Sequence, residues 1–529
     1  MSHPIKTHFF DMITPFNLTV ISKMTISGSL KRFYWLIALG SGAVSTLSFA
    51  PFYWFWLMPL SLALLLLIAV KMPQKSVKAA YLWGFAAALT QNYWVNISLH
   101  SVAGLTQWLA LPMTLLLPCA LAVYPAAVFW LVKKFRLSEK TKWGVALPLV
   151  WTIIEYLRTL LFSGFAWGLT GYSQIADFSP LVGFTPIGGI LLVSLLTFFI
   201  SSWLALFYIE KSKKYILLIA AVLFSGSLLS NIIWTKPDGT SNTVALVQGN
   251  IEQSMKFDPQ QMWVDMEQYY LDVAKIDNAD IIILPESAIP LLRQLLPPDT
   301  LQRFADTARD NKAALATGIV QETPDGLGYE NAVINLSQYN VSLPENIPYY
   351  AKNHLVPFGE FRPLPALTAG LYNMMNMPLS DFSRGGKGQK PLILAQQKVA
   401  FNICYEDSFG DELVQSAKQA SLMANVSNMG WFGRSNAMEQ QLQHSQARSL
   451  ENGRYMVRAT NNGITAIINP QGVVESRLPR DTHDVLIGEI KGYTGQTPYM
   501  KMGGSLPFIT ALALILIGVL IMGRKKINR

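Results

Sequence analysis

Three polar residues interrupt apolar stretches at places where folding alone does not ask for them. Glu286 follows the run IIILP, Lys352 stands in PYYAKNHLVPFGEFRP, and Cys404 ends VAFNI. An acid, an amine and a thiol are the parts of covalent acyl transfer: a base, a cation for the developing oxyanion, and a nucleophile. Cys404 suits attack on an acyl carbon. Glu286 would take the thiol proton and return it to the leaving oxygen, while Lys352 and the backbone N–H of Tyr405 would hold the oxyanion. Glu406 and Asp407 follow the cysteine at once and would raise the thiol pKa; the lysine is expected to reverse that balance. Each residue also has a plain structural reading. Glu286 fits a turn or cap, Lys352 a solvated surface, and Cys404 a core filler. Glu406 and Asp407 fit the start of a helix in EDSFGDELV, the reading we prefer for Asp407.

The elements that must position these groups are legible from periodicity. Residues 241–490 alternate strands (TVALVQGNI, ADIIILPES, ALATGIV, YENAVINL, KVAFNICYE, SLMANVSN) with helices (MWVDMEQYYLDVAKI, DTLQRFADTARDNKA, GDELVQSAKQA, NAMEQQLQHSQARSLENG). That pattern predicts an α/β layered domain with its functional groups where strands end. The strand pair YMVRATNNGITAIINPQGVV closes the pattern.

The rest of the chain is of another kind. Hydrophobic residues make up 51% of the sequence and charged ones 14%. Windows long enough to cross a bilayer predict eight spans: 33–51, 53–70, 79–99, 108–132, 144–163, 179–209, 215–234 and 504–523. Residues 241–490 hold 19 Lys and Arg against 27 Asp and Glu, or −8; the remainder holds 23 against 6, or +17, and the two sum to the formal +9. The basic excess therefore belongs to the membrane part, which argues against a nucleic-acid face. It falls in alternate loops: Lys71 to Lys78, Lys133 to Lys142 and Lys211 to Lys214. By the positive-inside rule both termini are cytoplasmic and residues 241–490 lie outside. The expected division is a cytoplasmic extension (1–32), seven spans (33–234), the outer α/β domain (241–490), a last span (504–523) and a basic tail (524–529). Met24 precedes a basic start and is an alternative initiator, which N-terminal sequencing would test.

Other residues suggest lipid contact. Met374, Met375 and Met377 in PLPALTAGLYNMMNMPLSDF, Trp431 and Phe432 in NMGWFGR, and the segment IPLLRQLLPP would form adaptable apolar lids. Their plain reading is ordinary core. Glu155 and Arg158 share one face of a predicted span; Arg158 reads as a headgroup partner or, equally, as the mate of Glu155. Trp167 and Tyr172 in the following loop fit an interfacial aromatic belt.

The order Glu, Lys, Cys in LPESA, KNHLVPFGEF and NICYEDSF resembles the nitrilase (carbon–nitrogen hydrolase) superfamily. With seven preceding spans, one trailing span and GFAWGLTGYSQ, the chain resembles that superfamily's membrane branch over nearly its whole length. The resemblance implies an αββα sandwich inserted into a multi-span helical membrane protein. It implies Glu360 as support for the triad and Glu406 as an orienting group, with Tyr405 also near the site. It further implies a bacterial inner-membrane enzyme with a periplasmic catalytic domain. That enzyme would move a fatty acyl chain from a phospholipid, through a Cys404 thioester, to the N-terminal amine of diacylglyceryl-cysteine on a lipoprotein. A tethered amidase that resolves the thioester with water is the alternative, and a transporter with an inactive domain is disfavoured by the complete triad. No cofactor or metal is expected. One departure stands out: Phe257 in QSMKFDPQ occupies the place of a family tryptophan, which keeps a ring and loses an indole N–H.

Overall fold

A computed structural model describes residues 26–252, 259–363, 366, 370 and 381–527. Met24, Phe257, Met374, Met375 and Met377 lie outside the described residues.

The chain opens with apolar helices: α1 (Ile26–Ser45), α2 (Leu57–Lys71), α3 (Ser76–Gln91), α4 (Gln107–Leu121), α5 (Val123–Lys134), α6 (Leu147–Arg158), α7 (Thr185–Glu210) and α8 (Lys214–Leu229). Their shared core includes Leu62, Ile68, Trp83, Phe129, Trp143, Trp151 and Phe198. Helix α7 breaks at Gly188 and Gly189, where the backbone leaves the helical region.

The second part is built from two sheets. In chain order it runs β1 (Lys236–Gln248), α9 (Pro259–Ala274), β2 (Ile281–Ile283), β3 (Ile289–Leu292), α10 (Pro298–Asp310), β4 (Ala314–Glu322), β5 (Tyr329–Asn335) and β6 (Tyr349–Ala351). It continues with β7 (Leu392–Leu394), β8 (Gln397–Ile403), α11 (Gly410–Ala417), β9 (Leu422–Ser427), α12 (Ala437–Asn452), β10 (Met456–Thr460), β11 (Ala466–Ile468), β12 (Val474–Arg477) and β13 (Asp484–Thr494). The first sheet has the order β13-β1-β2-β4-β5-β6 with β3 on β4; the second runs β12-β11-β10-β9-β8-β7. Period-two alternation then assigns the faces. Val244 and Leu246 of β1 join Phe401, Ile403, Ala424 and Val457 in the core between the sheets. Ala245 and Val247 pack outward with Met266, Tyr269 and Phe304 of α9 and α10. The result is a two-sheet sandwich with helices outside, as expected. β13 pairs antiparallel with β1 across some 240 residues of sequence, for example Val244 with Gly488. The chain ends in α13 (Leu506–Ile527).

Among the described residues, three helices are long and apolar enough to cross a membrane: Gln107–Lys134, Pro180–Glu210 and Leu506–Gly523. A fourth unit is Leu57–Lys71 with Pro73–Gln91, bent by 119°. Length and composition of helices therefore do not reach the eight spans expected from hydropathy. Apolar windows run straight through backbone breaks, at Asn92 within 79–99 and at Thr159 within 144–163, that divide the real helices.

Helix α12 joins the two parts. Nearly every residue in it is buried, although its sequence is strongly polar. Its polar groups explain this by bonding membrane-side atoms. Gln440 accepts from the Trp167 indole at 2.7 Å, Gln443 donates to the Ile175 carbonyl at 2.8 Å, and Glu451 accepts from the Ile190 N–H at 2.9 Å. That last N–H is free because α7 breaks just before it.

Candidate active site

Glu286, Lys352 and Cys404 lie at the ends of β2, β6 and β8, and the fold brings them into one buried cluster. Cys404 opens a short turn with φ of +53°, a left-handed conformation in which a non-glycine residue is strained. Gly318 on β4 runs so close to the turn holding Glu286 that a Cβ there would strike the Pro285 carbonyl and the Glu286 backbone. Lys352 donates to Glu360 at 2.7 Å and to Glu286 at 3.3 Å. Asn331 of β5 donates to both carboxylates, at 2.8 Å to Glu286 and 3.2 Å to Glu360. The other Glu286 oxygen accepts from the Asn428 backbone at 2.8 Å. Glu360 is further tied to the Val356 N–H at 2.8 Å.

The electrostatics revise one expectation. Lys352 is fully buried, and although burial pulls its pKa down, Glu360 and Glu286 hold it above the ordinary value. Burial raises the Cys404 thiol, Glu286 raises it further, and Lys352 offsets only part of this. The lysine therefore does not reverse the balance, because two carboxylates share its single charge. The thiol is protonated at rest and needs its base during attack, as in general-base rather than ion-pair activation.

Glu406 connects the strands. Its carboxylate accepts from the Ile403 N–H at 2.7 Å, just before the cysteine, and from the Asn353 and His354 N–H groups at 2.7 and 3.0 Å, just after the lysine. Tyr350 completes the set at 2.9 Å. Burial pushes its pKa up to about 7 in spite of these donors. Asp407 stands in the first turn of the short 3₁₀ helix Cys404–Ser408, as the helix-start reading has it, but it is also fully buried and pairs with Arg458 at 2.8 Å and Ser445 at 2.7 Å.

The aromatic candidates also lie differently from an interfacial belt. Trp167 and Tyr172 are buried. Trp167 packs on Tyr405 (centroids 6.3 Å), on Trp94 (5.0 Å) and on His444 (4.6 Å). The Tyr172 hydroxyl donates to the Ser408 carbonyl at 3.0 Å. Phe432 packs edge-on against Trp94 at 4.5 Å, and the Trp431 carbonyl accepts from Ser98 at 2.7 Å. The membrane part thus sets an indole ring against Tyr405, the residue that follows the cysteine. Within IPLLRQLLPP, Ile289 is fully buried and Leu295 largely exposed. Arg158 and Glu155 form no ion pair within 4 Å; Arg158 donates instead to the Trp167 carbonyl at 3.2 Å. Periodicity gave no reason to select Asn331, the Asn428 N–H or Arg458. The one available signal was a polar residue inside the apolar strand YENAVIN.

A two-sheet sandwich with an acid, an amine and a thiol at its strand ends is the architecture of the carbon–nitrogen hydrolases, and the Carbon-nitrogen hydrolase family matches residues 243–499. The Apolipoprotein N-acyltransferase N-terminal domain family matches residues 41–203. Apolipoprotein N-acyltransferases are similar along nearly the whole length. One from Neisseria meningitidis serogroup A is 51% identical, covering 94% of this chain and 98% of its own. One from Chromobacterium violaceum is 46% identical, covering 93% and 94%. The chain belongs to the apolipoprotein N-acyltransferase family.

Proposed function

We propose that the protein N-acylates lipoproteins in two half-reactions at Cys404. In the first, Glu286 takes the thiol proton as sulfur attacks an ester carbonyl of a membrane phospholipid. Lys352 and the Tyr405 N–H stabilise the oxyanion. The ester C–O bond then breaks, Glu286 protonates the leaving oxygen, and a lysophospholipid departs from the thioester. In the second, the α-amine of a diacylglyceryl-cysteine gives a proton to Glu286 and attacks the thioester. The C–S bond breaks, the sulfur regains the proton, and an amide remains. Glu360 and Asn331 hold the acid and amine in register, and Glu406 ties the lysine loop to the cysteine turn.

The observation that carries this reading is the buried cluster in which Lys352 bridges Glu286 and Glu360 beside Cys404, with Trp167 of the membrane part packed on the adjoining Tyr405. A donor site so enclosed by a membrane part suits lipid rather than soluble substrates. Alternating loop charge supports eight spans, with the sandwich on the periplasmic face of a bacterial inner membrane. The assay offers a phospholipid with a tagged acyl chain and a diacylglyceryl-cysteine peptide to the purified chain. N-acylated peptide is expected, and Cys404→Ala should give none. Free fatty acid as the sole product would overturn the transferase reading in favour of hydrolysis.

A further inference from the structure

Beside Trp167 the membrane part encloses a cavity of about 50 Å³. Its lining includes Asn92, Trp151, Glu155, Arg158 and Thr170. Four lining atoms are buried with no hydrogen-bond partner among the described residues: Asn92 Oδ1, Trp151 Nε1, Glu155 Oε2 and Arg158 Nε. Asn92, Trp151 and Glu155 are each at least 95% buried. Two of the four atoms are donors and two are acceptors, and the two charges lining the space cancel. A phosphate would satisfy the donors and confront the acceptors, whereas water satisfies both.

The partnered atoms of the same two side chains all point to one loop. Glu155 Oε1 accepts from the Thr170 N–H at 2.8 Å and from its hydroxyl at 2.6 Å. Arg158 donates to the Trp167 carbonyl. One turn of α6 therefore clamps residues 167–170 at both ends, and this loop carries the indole that packs on Tyr405, next to the cysteine.

We propose that this cavity is a built water site, and that Glu155 and Arg158 are positioning residues which hold the Trp167 indole with the help of the cavity's water cluster. At 10–15 Å³ per water, the space takes about three to five molecules. Those waters solvate a guanidinium that has no ion pair among the described residues, which is otherwise costly at membrane depth. The clamp's catalytic consequence rests on the acyl-transfer reading above; the water site does not.

The test uses the full chain in lipid nanodiscs at a resolution that shows waters. Ordered waters are expected within hydrogen-bond distance of the four atoms. A lipid phosphate there, or no density, overturns the water site whatever the activity. For the clamp, Glu155→Gln keeps an acceptor for Thr170 and should form acyl-enzyme within about threefold of wild type, whereas Glu155→Leu orphans two donors and should slow it at least about tenfold. The loss should fall on the acylation rate rather than on apparent KM, with Cys404 still alkylated by a small maleimide. Equal rates for Glu155→Leu and wild type, or an equal loss in both variants, would overturn the clamp. If Glu155→Leu does not fold, Glu155→Gln decides: a rate more than about tenfold down counts against the clamp. A wild type that forms no acyl-enzyme refutes the reaction, not the water site.

Discussion

Replacing Lys352 by Met separates stability from catalysis in a way that follows from the geometry. The ammonium lies 2.7 Å from Glu360 and 3.3 Å from Glu286, and all three side chains are largely buried. Removing one partner of a buried ion pair costs about 3–5 kcal/mol, because the remaining charge is left uncompensated. Here two carboxylates remain, joined through Asn331, and their like charges repel with no cation between them. The oxyanion also loses its cation, a change that costs about 10²–10³ in rate in comparable sites. Acyl-enzyme formation, followed as lysophospholipid release, should therefore fall by at least about 10³ once the base is also compromised. The informative step is to add Glu360→Gln. In wild type this change breaks a buried pair and should lower the thermal midpoint. In Lys352→Met it removes the surplus charge and should raise the midpoint, recovering about 2 kcal/mol or more without restoring activity. A Glu360→Gln effect of the same sign in both backgrounds would refute the shared-lysine account.

Three further outcomes are expected. Glu406→Ala orphans three backbone N–H groups at about 1–3 kcal/mol each, so it should lower both the thermal midpoint and acylation more than any surface Glu→Ala control. Asn331→Leu removes the donor common to Glu286 and Glu360 and should slow lysophospholipid release about tenfold or more while leaving Cys404 open to alkylation. Burial raises three carboxyls above their ordinary values, Glu406 and Glu451 to about 7 and Asp407 to about 6. The folded state therefore binds these protons before the unfolded chain does, and stability should rise as pH falls from about 8 to 6.5. His444, buried beside Arg448 and Arg458, has its pKa held well below 6.5, so below that pH it works the other way. His444→Gln should extend the gain further into acid, as a thermal-midpoint series against pH would show.

Much of this site could be read from local pattern. A polar residue that ends an apolar strand has few structural reasons to be there, which singled out Glu286 and Cys404, and the strands around them follow from alternation. What escaped depends on contacts distant in sequence. Asn331 gains its role only when β5 lies between the carboxylates, and Asp407 only when β10 delivers Arg458. Trp167 looked interfacial because aromatic loop residues beside spans usually are; α12, whose polar face bonds the membrane loops, reverses that. The thiol's environment is hidden from local pattern for a related reason. One lysine near one cysteine lowers a pKa, but Glu360, which supports the triad, also claims the lysine's charge. Helix lengths fall short of the expected spans because hydropathy does not register breaks such as Asn92, inside the window 79–99, where the carbonyl of Ala88 closes the helix.

If sulfur, acid and amine act together on a lipid ester, Cys404 carries the acyl group between the two half-reactions. The direct measurement is intact and peptide mass analysis after the purified chain meets a phospholipid carrying an alkyne acyl chain, with no acceptor present. One hydroxylamine-labile acyl group on Cys404 is expected in wild type, none in Cys404→Ala, and release on addition of a diacylglyceryl-cysteine peptide. Labelling at another residue, or an adduct that the amine does not discharge, would contradict the account.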